Sequence, residues 1–127
     1  MIEHKFYQLS GKVHGSIAFL LWLPTSVNMS KDDFLEHCEV LNNFINVYYT
    51  RILFIDAKDF HAKIEGYGDI VKKLQYVKGQ NSLKWIIYTS SNKRLKRLFQ
   101  ELEPEIKLIE HSSRDKLLNA YSELTNN

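Results

Sequence analysis

The stretch Arg51-Ile-Leu-Phe-Ile-Asp-Ala-Lys-Asp-Phe60 decides the architecture. Its apolar run lacks polar alternation, ends in carboxylates and stands between two segments patterned as helices. A strand covered on both faces by helices reads this way. The stretch points to an α/β arrangement but to no reaction. Around Asp56 and Asp59 the sequence offers no nucleophile, no metal ligands at workable spacing and no phosphate-cradling glycine loop.

Upstream of this strand, Phe34, Cys38, Leu41, Ile45 and Tyr48 recur at spacings of three and four, which predicts one inward helix face ending near Thr50. Ser30-Lys-Asp-Asp33 opens that helix as a variant of the capping box. Residues 5–9 alternate weakly and break at Ser10-Gly11, and residues 12–23 resume with Ile-Ala-Phe-Leu-Leu-Trp-Leu, so two neighbouring strands are expected, arranged as a hairpin. Pro24 stops the second, because it lacks the ladder donor.

Downstream, Tyr67, Ile70, Val71, Leu74 and Val77 predict a helix closed by Gly79, and Trp85-Ile-Ile-Tyr-Thr89 a strand. Ser90-Ser-Asn92 supplies caps for a helix over 93–103 that Pro104 ends. Ile106-Lys-Leu-Ile109 is a last short strand. Ser112-Ser-Arg-Asp115 is a second capping-box variant, opening a helix with Leu117, Leu118, Tyr121 and Leu124 inward. The order is β-β-α-β-α-β-α-β-α. Strands joined through helices run parallel, so a mixed, largely parallel sheet with an antiparallel member near the N-terminus is expected, with Trp22, Ile52, Phe54, Ile86 and Ile109 buried in it. The tail 125–127 is expected to fray.

The 127 residues, 44% hydrophobic and 13% aromatic, suffice for a single core and a single domain, 1–127. A formal charge of +2 is too mild for a protein that lives on nucleic acid. The longest apolar run, residues 17–23, is short of the ~20 residues that span a bilayer, and residues 1–5 do not read as a secretion signal. The lone Cys38 falls on an inward helix face, as a buried thiol in a reducing compartment would. A cytoplasmic protein is expected.

Three features together resemble the STAS-like domains, the fold of anti-sigma-factor antagonists. They match especially a bacterial group of small single-domain proteins related to lipid-binding carrier domains. The features are the apolar strand reaching Trp22 before Ser30-Lys-Asp-Asp-Phe34, the strand Ile52-Leu-Phe-Ile-Asp-Ala-Lys-Asp-Phe60, and the C-terminal strand and helix ending in Leu-Leu-Asn-Ala-Tyr121. The resemblance implies a non-enzymatic regulatory module that binds a protein partner or a small anionic ligand. Such antagonists are switched by phosphorylation of a Ser after the central strand. Here residues 57–69 contain no Ser or Thr, so that switch is missing, and the loop reads Lys63-Ile-Glu-Gly-Tyr-Gly68. The alternative that the resemblance leaves open is a carrier of an apolar or lipid-like molecule, lined by aromatic residues such as Trp22, Tyr48, Tyr49, Phe54, Phe60, Tyr67, Tyr76, Trp85 and Tyr88, which otherwise read as ordinary core.

The clearest chemical asymmetry is Ser90-Ser-Asn-Lys-Arg-Leu-Lys-Arg97. On a helical wheel Lys93, Arg94, Lys96 and Arg97 share a solvent-facing arc, opposite Leu95, Leu98, Phe99 and Leu102. Cations in a first turn oppose the helix dipole, at roughly 0.3–1 kcal/mol each, unless an anion sits there. Ser90, Ser91, Asn92, Lys93 and Arg94 are therefore the candidate ligand-binding residues, at the carboxyl end of a strand. The competing reading is a solvated face balanced by Glu101 and Glu103.

Asp56 and Asp59 read as turn and cap residues. His4, His14, His37, His61 and His111 lack ligand spacing, no serine stands in a nucleophile elbow, and Gly66-Tyr-Gly68 is too short for a dinucleotide fingerprint. No catalytic residue, metal or cofactor is called for. A homodimer is left open.

Overall fold

The computed structural model describes residues 1–63, 82–100 and 105–126, without the side chain of Arg94. Six strands form one sheet in sequence order: β1 (Ile2–Glu3), β2 (Tyr7–Lys12), β3 (Ile17–Trp22), β4 (Ile52–Ala57), β5 (Trp85–Ser90) and β6 (Lys107–Glu110). The β1–β2 and β2–β3 pairs are antiparallel, and β3, β4, β5 and β6 are mutually parallel. The described helices are α1 (Lys31–Tyr48), α2 (Lys93–Gln100) and α3 (Arg114–Thr125). This is the mixed, largely parallel α/β arrangement that the sequence predicts. The helix expected over Tyr67 to Val77, with its Gly79 cap, and the end of the helix expected over 93–103 lie outside the described residues.

The described residues form a core on each face of the sheet. The larger core lies under α1 and α2, where Leu9, Leu20, Leu53, Ile55 and Ile86 meet Phe34, Cys38, Leu41 and Ile45 of α1 and Leu95 and Phe99 of α2. On the opposite face Ile17, Phe19 and Phe54 pack against Leu117 and Tyr121 of α3. β4 is central and buried from Leu53 to Ala57, as its unbroken apolar run requires.

Local signals set the helix starts. Ser30 accepts the Asp33 amide while Asp33 accepts the Ser30 amide, a reciprocal cap that holds the Asp33 carboxyl below its usual range, mainly through the Ser30 backbone donor. Ser113 caps α3 by accepting the Lys116 amide at 3.2 Å, so that cap stands one residue later than the Ser112 and Asp115 pattern suggests.

Several expectations need correction. The hairpin turn is at Val13–Ser16, not at Ser10-Gly11: Gly11 sits in β2 opposite Ala18, where a Cβ would stand 3.2 Å from Phe44 Cζ. β1 is an additional strand that two residues are too short to signal. Ile52 is only partly buried, and Ile109 is exposed because β6 is an edge strand. Leu118 and Leu124 are exposed, and the stripe that α3 turns to the sheet is narrow, with Leu117 buried and Ala120 and Tyr121 packed beside it. Tyr48 is 49% exposed, on the outer side of the last turn of α1.

Candidate functional site

The parallel strands end at one edge, which brings together the turn after β3, residues 58–63 after β4, residues 90–92 after β5 and residues 111–113 after β6. Open α/β sheets place ligands at this edge. Two serines tie the loops together. Ser26, fully buried in the turn Pro24–Asn28, donates to the Asp59 carbonyl at 3.1 Å and accepts the His61 amide at 2.9 Å. Ser91 donates to the Lys58 carbonyl at 3.2 Å.

The candidate residues Ser90, Ser91, Asn92 and Lys93 meet where β5 passes into α2. Asn92 is the N-cap: its side-chain oxygen accepts the Leu95 amide at 3.2 Å and its carbonyl accepts the Lys96 amide. Its own amide donates to Ser90 Oγ at 3.0 Å, and Ser90 Oγ donates to the Asn92 carbonyl at 3.4 Å. The two serine hydroxyls thus shape the turn and dock it to β4. The donors that remain for a ligand are the leading amides of the helix, which have no intrahelical partners, and the exposed Lys93. Arg94 follows Lys93 in the same first turn.

Other charges at this edge are already committed. Lys96 forms an ion pair with Glu110 of β6, and this hydrogen bond raises its pKa. Arg114, the first residue of α3, donates from Nε to Asp56 Oδ2 at 2.6 Å and from Nη2 to Asp56 Oδ1 at 3.3 Å and Asp59 Oδ2 at 2.9 Å. The hydrogen bonds to Asp56 and then Asp59 hold the guanidinium firmly in its charged form. Asp56 does cap the turn after β4, its Oδ1 accepting the Lys58 amide at 3.2 Å, but it is also a buried strand carboxylate neutralised by a cation 58 residues away. Arg114 stands in a first turn, where a cation opposes the helix dipole, the same local mismatch as at Lys93 and Arg94, but no short pattern in the sequence joins it to Asp56. With Asp56 and Asp59 so occupied, Lys58, Lys63, Lys93 and Lys116 are exposed cations along this edge among the described residues, and Glu110 and Asp115 are exposed acids where β6 passes into α3.

The remaining groups do not converge on a site. Among the described residues no cluster of three His, Cys, Asp or Glu side chains is placed to hold a metal ion. Cys38 is buried, and desolvation pushes its thiol up to about 12. Trp22, Phe60, Tyr7 and His37 pack edge to face and tilted at centroid separations of 4.4–5.5 Å, a filled aromatic cluster. Phe54 lies on the other face, and Tyr48 and Tyr49 are exposed, so the aromatic residues singled out from the sequence do not line one cavity. Tyr67 and Tyr76 lie outside the described residues. No described helix is long and apolar enough to cross a membrane. Comparisons of the chain with family models, with curated proteins and with solved structures found no match.

Proposed function

We propose that this chain is a non-enzymatic, STAS-like interaction module that binds a small anionic ligand, or an acidic segment of a regulatory protein partner, at the start of α2. The observation that supports this reading most directly is the state of charge at the carboxyl edge of the sheet. Asp56 and Asp59 are bound by Arg114, whereas Lys58 and Lys93 are exposed beside a helix start capped by Asn92, whose first amides have no intrahelical acceptor. An anion there would meet donors and cations together and relieve the clash between those cations and the helix dipole. The tie from Ser91 to the Lys58 carbonyl fixes the loop in advance, which limits the ordering that binding requires. The sequence provides no Ser or Thr after β4 for the usual phosphorylation switch. The charge is brought by the partner instead.

The test is a titration of the unmodified protein and the Lys93→Glu, Arg94→Glu variant with inorganic phosphate and with a phosphorylated peptide, at low and high salt, followed by amide shifts. The expected result is shifts at 91–95 that saturate in the unmodified protein, weaken at high salt and vanish in the variant. Equal responses across all eight combinations of protein, ligand and salt would sink the proposal. An amphiphile retained by the purified protein in native mass spectrometry would favour the carrier instead.

A further inference from the structure

A groove of about 470 Å³ lies far along the chain from that edge, between β1 and the outer side of α1. Met1, Ile2, Val40, Phe44, Val47 and Tyr48 line it, with no charged side chain among its lining residues. On α1, Val40, Phe44, Val47 and Tyr48 recur at helical spacing. They form a second apolar stripe besides the inward one of Phe34, Cys38, Leu41 and Ile45.

The groove ends beside the β2–β3 hairpin. Gly15 there packs directly on Tyr48, and Thr50 Oγ1 donates to the Gly15 carbonyl at 2.8 Å. At this end Val13 and Tyr49 project into solvent, 56% and 73% exposed, both at positive φ (55° and 52°), as is His14. These are the non-glycine residues with positive φ among those described. A β-branched or aromatic side chain at such a position carries backbone strain of roughly 1–3 kcal/mol. At Tyr49 the conformation is that of the left-handed cap of α1, whose amide donates to the Ile45 carbonyl, and at Val13 it closes the hairpin, the Gly15 amide donating to the Lys12 carbonyl at 3.1 Å and the Ser16 amide to the Val13 carbonyl at 3.1 Å.

We propose that this patch is a two-fold interface between two copies of this chain, with their α1 stripes antiparallel. A two-fold contact presents the same residues from each side, so recess and projection must belong to one patch. Here they meet at Tyr48, which lines the groove, precedes Tyr49 and carries Gly15 of the Val13 hairpin, and at Met1, which lines the groove and is 83% exposed. The charges at its two ends are opposite. Exposed Glu39 and Glu36, the latter 3.6 Å from His4 Nε2, lie toward the N-terminal end of the stripe, and exposed Lys12 and Arg51 stand where α1 stops. An antiparallel copy sets the acids of one chain against the bases of the other, whereas a parallel copy would oppose like charges. A small apolar ligand in the groove would leave Val13 and Tyr49 in water, and an added peptide strand would find an edge of only 2 residues in β1.

Sedimentation equilibrium tests this without any ligand. The unmodified chain should approach twice its 15.0 kDa with rising concentration, and Val47→Asp, at an exposed position, should sediment at 15.0 kDa and still unfold cooperatively, at a midpoint that does not change with concentration. Glu39→Lys and Arg51→Glu should each weaken association by about tenfold or more. An equimolar mixture of those two variants should restore it, because both cross-contacts in the mixed dimer are then between opposite charges. The proposal is overturned by a chain that stays monomeric, by a dimer indifferent to Val47→Asp, or by a mixture no tighter than either variant alone.

Discussion

Arg114 grips the buried carboxylate of Asp56 with two hydrogen bonds, Nε to Oδ2 at 2.6 Å and Nη2 to Oδ1 at 3.3 Å, and so fastens the start of α3 to the end of β4. Asp56 is 1% exposed, so removing the cation leaves a carboxylate stranded away from water. Breaking a buried pair costs about 3–5 kcal/mol, and because Arg114 is itself a third exposed, Arg114→Ala is expected at or below about 3 kcal/mol. Asp59→Asn removes a pair exposed at both ends and is expected to cost under about 1 kcal/mol. Urea unfolding of the two variants checks the order. Equal losses would mean that Asp56 is not the anchor.

The two sheet faces make a second contrast. Phe54 is fully buried between Phe19 and Tyr121, ring centroids 6.3 and 5.2 Å away, so Phe54→Ala is expected to cost about 3–5 kcal/mol through the cavity it leaves. Ile109, on the exposed edge strand, should lose less than about 1 kcal/mol when changed to Ala. A loss for Phe54→Ala as small as that for Ile109→Ala would show that α3 does not seal its face.

The hairpin tip allows changes of opposite sign. Val13 has φ 55°, a region that Asn adopts more readily than a β-branched residue, so Val13→Asn should raise monomer stability by about 1 kcal/mol. Gly15 has φ 86°, and a Cβ there would stand 2.5 Å from the Cβ of Tyr48. Gly15→Ala is therefore expected to lower stability by more than Val13→Asn raises it, by roughly 2 kcal/mol or more. Thermal unfolding at one protein concentration, in a background that carries Val47→Asp, keeps association out of the comparison. A stabilising Gly15→Ala would mean that the tip does not rest on α1.

The same residues show what the sequence could and could not convey. The unbroken run at β4, the stripe of α1 and the Ser30 cap are local patterns that packing reinforces, and strand pairing followed from them. Hydropathy does not say which way a side chain faces, so Ile109 on the edge strand and Leu118 and Leu124 on α3 looked like core although they are exposed. The turn was misplaced because Gly11 is small for the sake of Phe44, while the true turn holds a valine, a residue no turn preference selects. At the candidate site, Asn92 and its neighbours were legible as a cap. Asp56 was not, since its partner lies 58 residues away and no short pattern links them.

The last prediction concerns pH. His37 is buried against Tyr7, Trp22 and Phe34, and desolvation, aided by His4, lowers its pKa from 6.5 to about 3. The unfolded chain therefore binds this proton more readily than the folded one, and stability falls as the pH drops below 6.5 toward 3. The slope is about 1.4 kcal/mol per pH unit, so about 3 kcal/mol is lost between pH 7 and pH 4 from this group alone. Carboxylates add their own dependence, which the variant His37→Gln leaves in place while removing the imidazole. Denaturant unfolding of both proteins at several pH values isolates the difference. The stability curves should converge toward acid by about that amount. Curves that stay parallel from pH 7 to pH 4 would mean that His37 takes up its proton within the folded core, and that the aromatic cluster around it opens to water.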